Sequence, residues 1–257
     1  MITVKEKEAL KEIQKYSWFK SDDLKKIIDS ERMTYVFLKK WIQQGKIVRL
    51  PFYVYSPINP ETEKYKSDLL EVACQVNNQV YLCVVTAAKI HGLEVPDSKI
   101  VYIASYKKFS TKVFDGWSFR YKRAVDTNDI IEKGKLRYTS YTLTVIDTCK
   151  DFQKYMDLKS FRVFLKSVDE LQAQEVIRAL DVLKSKVLHN KIGWLVENGL
   201  LNINQQELVL QYCLENRDVT KRSLYPNMEY SSVDNDKWKL IVPEHMIPDN
   251  MSMGWGC

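Results

Sequence analysis

A chain of 257 residues, 45% apolar and 12% aromatic, has enough hydrophobic material for one large or two ordinary domains, which excludes an intrinsically disordered polymer. Its formal charge of +6 is unevenly placed: residues 1–56 carry twelve Lys and Arg against seven Asp and Glu, so nearly all the excess lies in the N-terminal fifth. The N-terminus is charged and amphipathic, and no apolar run approaches the roughly eighteen residues of a membrane span, so a cytoplasmic protein with no membrane partner is expected.

Leu10, Ile13 and Tyr16 recur at helical spacing, predicting a surface helix over about residues 3–16. A second helix is expected to start at Ser21 as N-cap, with Asp22 and Asp23 in its positive first turn and Leu24, Ile27 and Ile28 as its buried stripe. A third starts with Ser30 as N-cap and stops at Gly45, a residue free to adopt the left-handed conformation. At about 100° per residue, Thr34, Phe37, Leu38 and Trp41 fall on its inner side, and Arg32, Tyr35, Val36, Lys39 and Gln43 on its outer side. Residues 46–50 and 52–55 then read as a hairpin turning at Pro51. Three helices and a ribbon in this order predict a winged helix-turn-helix over residues 1–58, with a polar, proline-containing boundary at 56–66.

Residues 59–257 are expected to form a larger α+β domain. Ser67 is read as the cap of a helix reaching Asn77, residues 79–85 as a strand, and residues 86–91 as a short helix stopped by Gly92. Residues 99–106, 117–123 and 136–141 read as strands of a small sheet, and helical periodicity dominates from about residue 143. Stretches 143–155, 160–171, 173–197 and 205–216 are the helices of that portion, with a last strand at 238–242. The overall fold class is therefore α+β.

DNA binding needs cations that replace condensed counterions and a helix that fits a major groove about 12 Å wide. The outer stripe supplies Arg32, suited to guanine, Gln43, suited to adenine, and Tyr35; Lys39, Lys40, Lys46 and Arg49 suit phosphates. A second basic cluster, Lys107, Lys108 and Lys112 beside Tyr106, with Arg120, Lys122 and Arg123, is left open between nucleic acid, an acidic partner and a solvated loop.

No catalytic, cofactor-binding or metal-binding residue is assigned. His91 lies at a helix end, where a structural role is the common one, and His189 and His245 have no ligand spacing. Asp97 with Glu132 and Lys133 suggests a metal-dependent nuclease only faintly, because adjacent strand residues point apart. Five cysteines, Cys74, Cys83, Cys149, Cys213 and Cys257, contain no C-x-x-C pair and read as reduced, mostly buried thiols.

The winged-helix run FLKKWIQQGKIVRLPFYVY, the central VVTAAKIHGLEVPDSKIVYIAS and the later TSYTLTVIDTCKDF together resemble the AbiEi family, the antitoxins of type IV abortive-infection toxin–antitoxin systems. The matching positions are Leu38, Trp41, Gly45, Arg49 and Tyr53, then Ala87, Ala88, His91, Gly92 and Leu93, then Val145, Ile146 and Asp147. The chain departs at the wing tip, where Leu50, Pro51 and Phe52 follow Arg49 in place of an Arg-Gly-x-Tyr sequence. The resemblance implies an N-terminal domain that represses its own operon at promoter inverted repeats. It also implies a C-terminal domain that antagonises a nucleotidyltransferase toxin, with no enzymatic activity in this chain. The alternatives kept open are a metal-dependent nuclease targeted by a winged helix and a ligand-responsive transcription regulator.

Overall fold

The structure is a computed structural model that describes residues 4–225 and 231–247. It is an α+β fold in which an N-terminal helical region with a three-stranded wing precedes a larger mixed region. By internal contacts the chain divides into one unit of residues 1–82, 99–124 and 132–137, and a second of 83–98, 125–131 and 138–257.

In the first unit, α1 (Val4–Ile13), β1 (Phe19–Lys20), α2 (Ser21–Ile28) and α3 (Glu31–Gln43) lead into β2 (Ile47–Arg49) and β3 (Val54–Pro57). The strands form an antiparallel sheet in the order β1-β3-β2. Ala9, Ile13, Phe19, Leu24, Ile28, Phe37, Leu38, Trp41 and Ile47 make one core beneath it. The expected stripes therefore pack as read, but α1 ends at Ile13 and leaves Tyr16 exposed. Ser21 is the first helical residue of α2, not its cap: the Lys20 N–H instead donates to Asp23 Oδ2 at 2.9 Å.

A short α4 (Leu69–Ala73) follows, capped by Asp68 and not Ser67: Asp68 Oδ1 accepts from the Leu70 N–H at 2.7 Å. The expected strand at 79–85 shrinks to β4 (Tyr81–Leu82). The sheet continues through β5 (Ile100–Ser105), β6 (Lys112–Phe114) and β7 (Trp117–Arg123). With β8 (Ile130–Lys133) and β9 (Leu136–Thr139) it has six strands in the order β6-β7-β5-β4-β9-β8, against the three or four that alternation alone reveals. The two omitted strands, β6 and β8, are short and charged and carry little buried surface, so they lack the period-two signal. β5 and β7 run parallel, in register from Ile100↔Ser118 to Ser105↔Arg123, and β6 folds back antiparallel on β7.

The second unit holds α5 (Val84–Ile90) and α6 (Tyr141–Lys150), α7 (Leu158–Lys166), α8 (Ala173–Leu183), α9 (Lys186–Glu197) and α10 (Gln206–Asn216). α6 is buried along nearly its whole length and packs against α5, α8 and α9. The expected single helix over 173–197 is two helices, broken where Lys184 takes a left-handed φ of 46°. A small sheet of β10 (Arg222–Ser223), β11 (Ser232–Asn235) and β12 (Leu240–Pro243), in the order β10-β12-β11, follows. Trp238, just before β12, is fully buried, and its ring lies so close to Gly193 of α9 that a Cβ there would overlap it.

Candidate nucleic-acid interface

Ser30 caps α3 by accepting from the Met33 N–H, while Thr34 Oγ1 donates to Ser30 O at 2.8 Å. Gly45, at φ 66°, ends the last turn and lets the chain reverse into β2. Thr34, Phe37, Leu38 and Trp41 are buried; the Phe37 and Trp41 rings stack with centroids 5.5 Å apart. The opposite side of α3 presents Arg32, Tyr35, Val36, Lys39 and Gln43, all exposed, together with Met33 and Ile42. Beside it, a recess of about 650 Å³ is lined by α2 and α3, including Lys25, Arg32 and Tyr35.

Lys40 stands apart from this set. It turns toward α1 and pairs with the buried Glu6, Nζ to Oε2 at 2.9 Å, while Trp41 Nε1–H donates to Glu6 Oε1 at 3.1 Å. Burial pushes the Glu6 carboxyl up, but the hydrogen bonds from Lys40 and Trp41 and the charges of Lys40 and Lys46 outweigh it and hold the group below the usual carboxylate range. A carboxylate in the middle of the α1–α3 packing thus fixes the helix that carries the exposed face. Nothing in the local pattern of α1 marks Glu6 as buried, because its partners lie more than thirty positions away.

The wing departs from a simple two-residue hairpin. Leu50 N–H donates to Val54 O at 2.8 Å, and the three residues Pro51–Tyr53 form a tight turn with φ of 62° at Phe52 and 60° at Tyr53. Left-handed backbone at two consecutive aromatic residues costs about 1–2 kcal/mol each unless surrounding contacts enforce it. Here Phe52 is wedged edge-on between Phe109 and Phe119, with centroids 5.5 Å and 5.7 Å away. Phe119 and Tyr121 are two apart on β7 and share a face of the sheet; Phe109 in turn packs edge-on against Tyr121 at 5.6 Å. Tyr53 projects outward, 75% exposed, with the Arg49 guanidinium 5.4 Å from its ring centre.

The wedge brings the second basic cluster to the wing. A cleft of about 660 Å³ is lined by Arg49 to Tyr53 on one side and by Val76, Asn77, Lys107, Lys108, Phe109, Ser110 and Lys112 on the other. The 106–112 loop is held at its base by buried Ser105, whose hydroxyl donates to Lys107 O at 2.9 Å and accepts from Asn77 Nδ2 at 3.4 Å. The loop's contact with the wing has no signature in either stretch alone.

The two acids behind the nuclease alternative are each engaged by a cation: Asp97 pairs with Lys89 at 2.8 Å, and Glu132 with Arg137 at 3.1 Å. His91 Nε2 lies 2.9 Å from Thr139 O, with its ring edge-on to Tyr138 and Tyr141, a structural setting. Among the described residues, no group of His, Cys, Asp and Glu is arranged to hold a metal ion, and no helix is long and apolar enough to cross a membrane. Cys74, Cys83, Cys149 and Cys213 are buried and in no disulfide; Cys257 lies outside the described residues.

The chain is similar in fold to the crystal structure of the RV2827C protein from Mycobacterium tuberculosis. The two share 13% sequence identity at a TM-score of 0.65, over 94% of this chain and 92% of that one. At that identity the likeness concerns the fold. No family model matches the chain, and no curated protein matches it.

Proposed function

We propose that the chain binds double-stranded DNA through α3 and the wing, and that it is the antitoxin and autorepressor of a type IV toxin–antitoxin operon. The observation that carries the DNA reading is the exposed side of α3. Arg32, Tyr35, Lys39 and Gln43 project from a helix whose other side is locked into the core, with Lys46 and Arg49 following directly on the wing side. That arrangement has the reach of a recognition helix, with groups for base edges in the middle and cations for phosphates at the flanks. Lys40, committed to Glu6, contributes to positioning instead. The operator is the chain's own promoter, read at inverted repeats, and the protective role toward a nucleotidyltransferase toxin rests on the resemblance to AbiEi antitoxins.

The test is titration of the DNA upstream of the gene with the full-length protein across a salt series. Lys39→Ala and Arg49→Ala each lower the slope of log affinity against log salt by about 0.9, the loss of one phosphate contact. Unchanged slopes in both variants would remove this face from the reading. Co-expressing the same variants with the neighbouring gene product separates the two activities: growth protection that survives loss of DNA binding assigns antitoxicity to another surface.

A further inference from the structure

The cleft between the wing and the 106–112 loop gathers Lys107, Lys108 and Lys112, which the DNA reading does not use, beside Arg49, which it does. Arg49, Lys107, Lys108 and Lys112 surround it, no acidic side chain lines it, and among the described residues none of the four cations is in an ion pair. Four cations held together without a counter-charge repel one another, and the arrangement persists because Phe52, Phe109 and Ser105 fix the backbones that carry them. An anion with several charges relieves that repulsion. The rest of the lining is aromatic or apolar: Phe52 and Phe109 form part of the wall, and Tyr53 stands at the rim with a largely exposed ring.

A volume of about 660 Å³ lies within the range of small-molecule and cofactor sites, roughly 300–1,000 Å³. A bare phosphate would leave the aromatic wall unused, and an apolar ligand would leave the four charges unmet. The chemistry that satisfies both is a planar ring carrying a chain of phosphates. We propose that this cleft is a nucleoside-phosphate site, with the lysines of the loop and Arg49 on the phosphates and Tyr53 or Phe109 against the base. The ligand is either a free nucleotide or a nucleotide unit of a single strand. Because Pro51–Tyr53 forms one wall, occupancy bears directly on the wing.

Isothermal titration of the full-length protein, without duplex DNA, tests this with three probes: ATP, inorganic tripolyphosphate and a short oligothymidylate. ATP is expected to bind more tightly than tripolyphosphate. The double variant Lys108→Ala/Lys112→Ala weakens ATP by about a hundredfold, two charge-assisted contacts at roughly tenfold each. Tyr53→Ala combined with Phe109→Leu narrows the gap between ATP and tripolyphosphate. Tighter binding of the oligonucleotide than of ATP identifies a strand as the source of the nucleotide and supports the same site. Absence of ATP binding in the wild type, ATP affinity unchanged in the double-lysine variant, or equal affinity for ATP and tripolyphosphate would each overturn the assignment. Both lysines are exposed, Lys108 in the loop and Lys112 at the first position of β6, and an unchanged melting temperature establishes that the variant folds. Lys39→Ala serves as control: it leaves ATP affinity intact whether or not the promoter reading holds, so the two proposals fail separately.

Discussion

Replacing Glu6 by Ala removes the carboxylate that ties α1 to α3. The indole N–H of Trp41, on a residue with no exposed surface, loses its acceptor, which costs about 1–3 kcal/mol for a buried donor left unpaired. Lys40 keeps 32% of its side chain exposed and can turn to water, so loss of the ion pair adds only about 0.5–1 kcal/mol. Since Ala is an excellent helix former and adds no propensity cost, the total is about 1.5–4 kcal/mol. Glu6→Gln retains an oxygen for Trp41 and loses only the charge, for a cost of about 1 kcal/mol. Urea unfolding followed by circular dichroism measures both. The pH dependence supplies a second check: the folded carboxyl titrates below its unfolded value, so its contribution is present above the ordinary carboxylate range and is lost as pH falls through the folded value. The gap between wild type and Glu6→Gln therefore narrows on acidification. A cost for Glu6→Ala below about 0.5 kcal/mol, or equal costs for Ala and Gln, would refute the reasoning.

At the wing, Phe52→Gly is expected to be less destabilising than Phe52→Ala by about 1 kcal/mol, reversing the usual order, because only glycine adopts φ 62° without strain; equal thermal midpoints would show that the turn relaxes. Gly193→Ala places a methyl in the Trp238 ring and lowers stability by about 3 kcal/mol or more, read as a drop in melting temperature. Lys191, buried in α9 with its ammonium donating to Lys150 O at 2.8 Å and lying 5.6 Å from the Phe152 ring centre, is held below the usual lysine range by burial. Lys191→Met keeps the volume without the buried charge and melts at or above the wild-type temperature, whereas Lys191→Ala opens a cavity and melts below it.

The helix at residues 31–43 was legible because every determinant is local: a serine cap, a 3.6-residue apolar period and a glycine stop all lie within sixteen positions. The break at Lys184 was not, since neither Gly nor Pro marks it and the apolar stripe runs through it with little phase change. Of the candidate site, the exposed stripe could be read, but the partner of Lys40 could not, because Glu6 looks like any other solvated acid of an amphipathic helix. The basic loop at 106–112 was visible as charge alone. Its place beside Arg49 is decided by Phe52 and, more than fifty positions later, Phe109 and Phe119, aromatics that any composition-based reading assigns to a core.

The Phe52 wedge also imposes an order on synthesis. When α1 to β3 emerge from the ribosome, their small core can form, but Phe119 has not been made. At ordinary synthesis rates of about 5–20 residues per second, the wing waits several seconds with a hydrophobic ring uncovered and two left-handed residues unsupported. A nascent chain stalled before residue 119 carries α3 without a seated wing. If the chain represses its own promoter, that activity matures only when translation has passed β7.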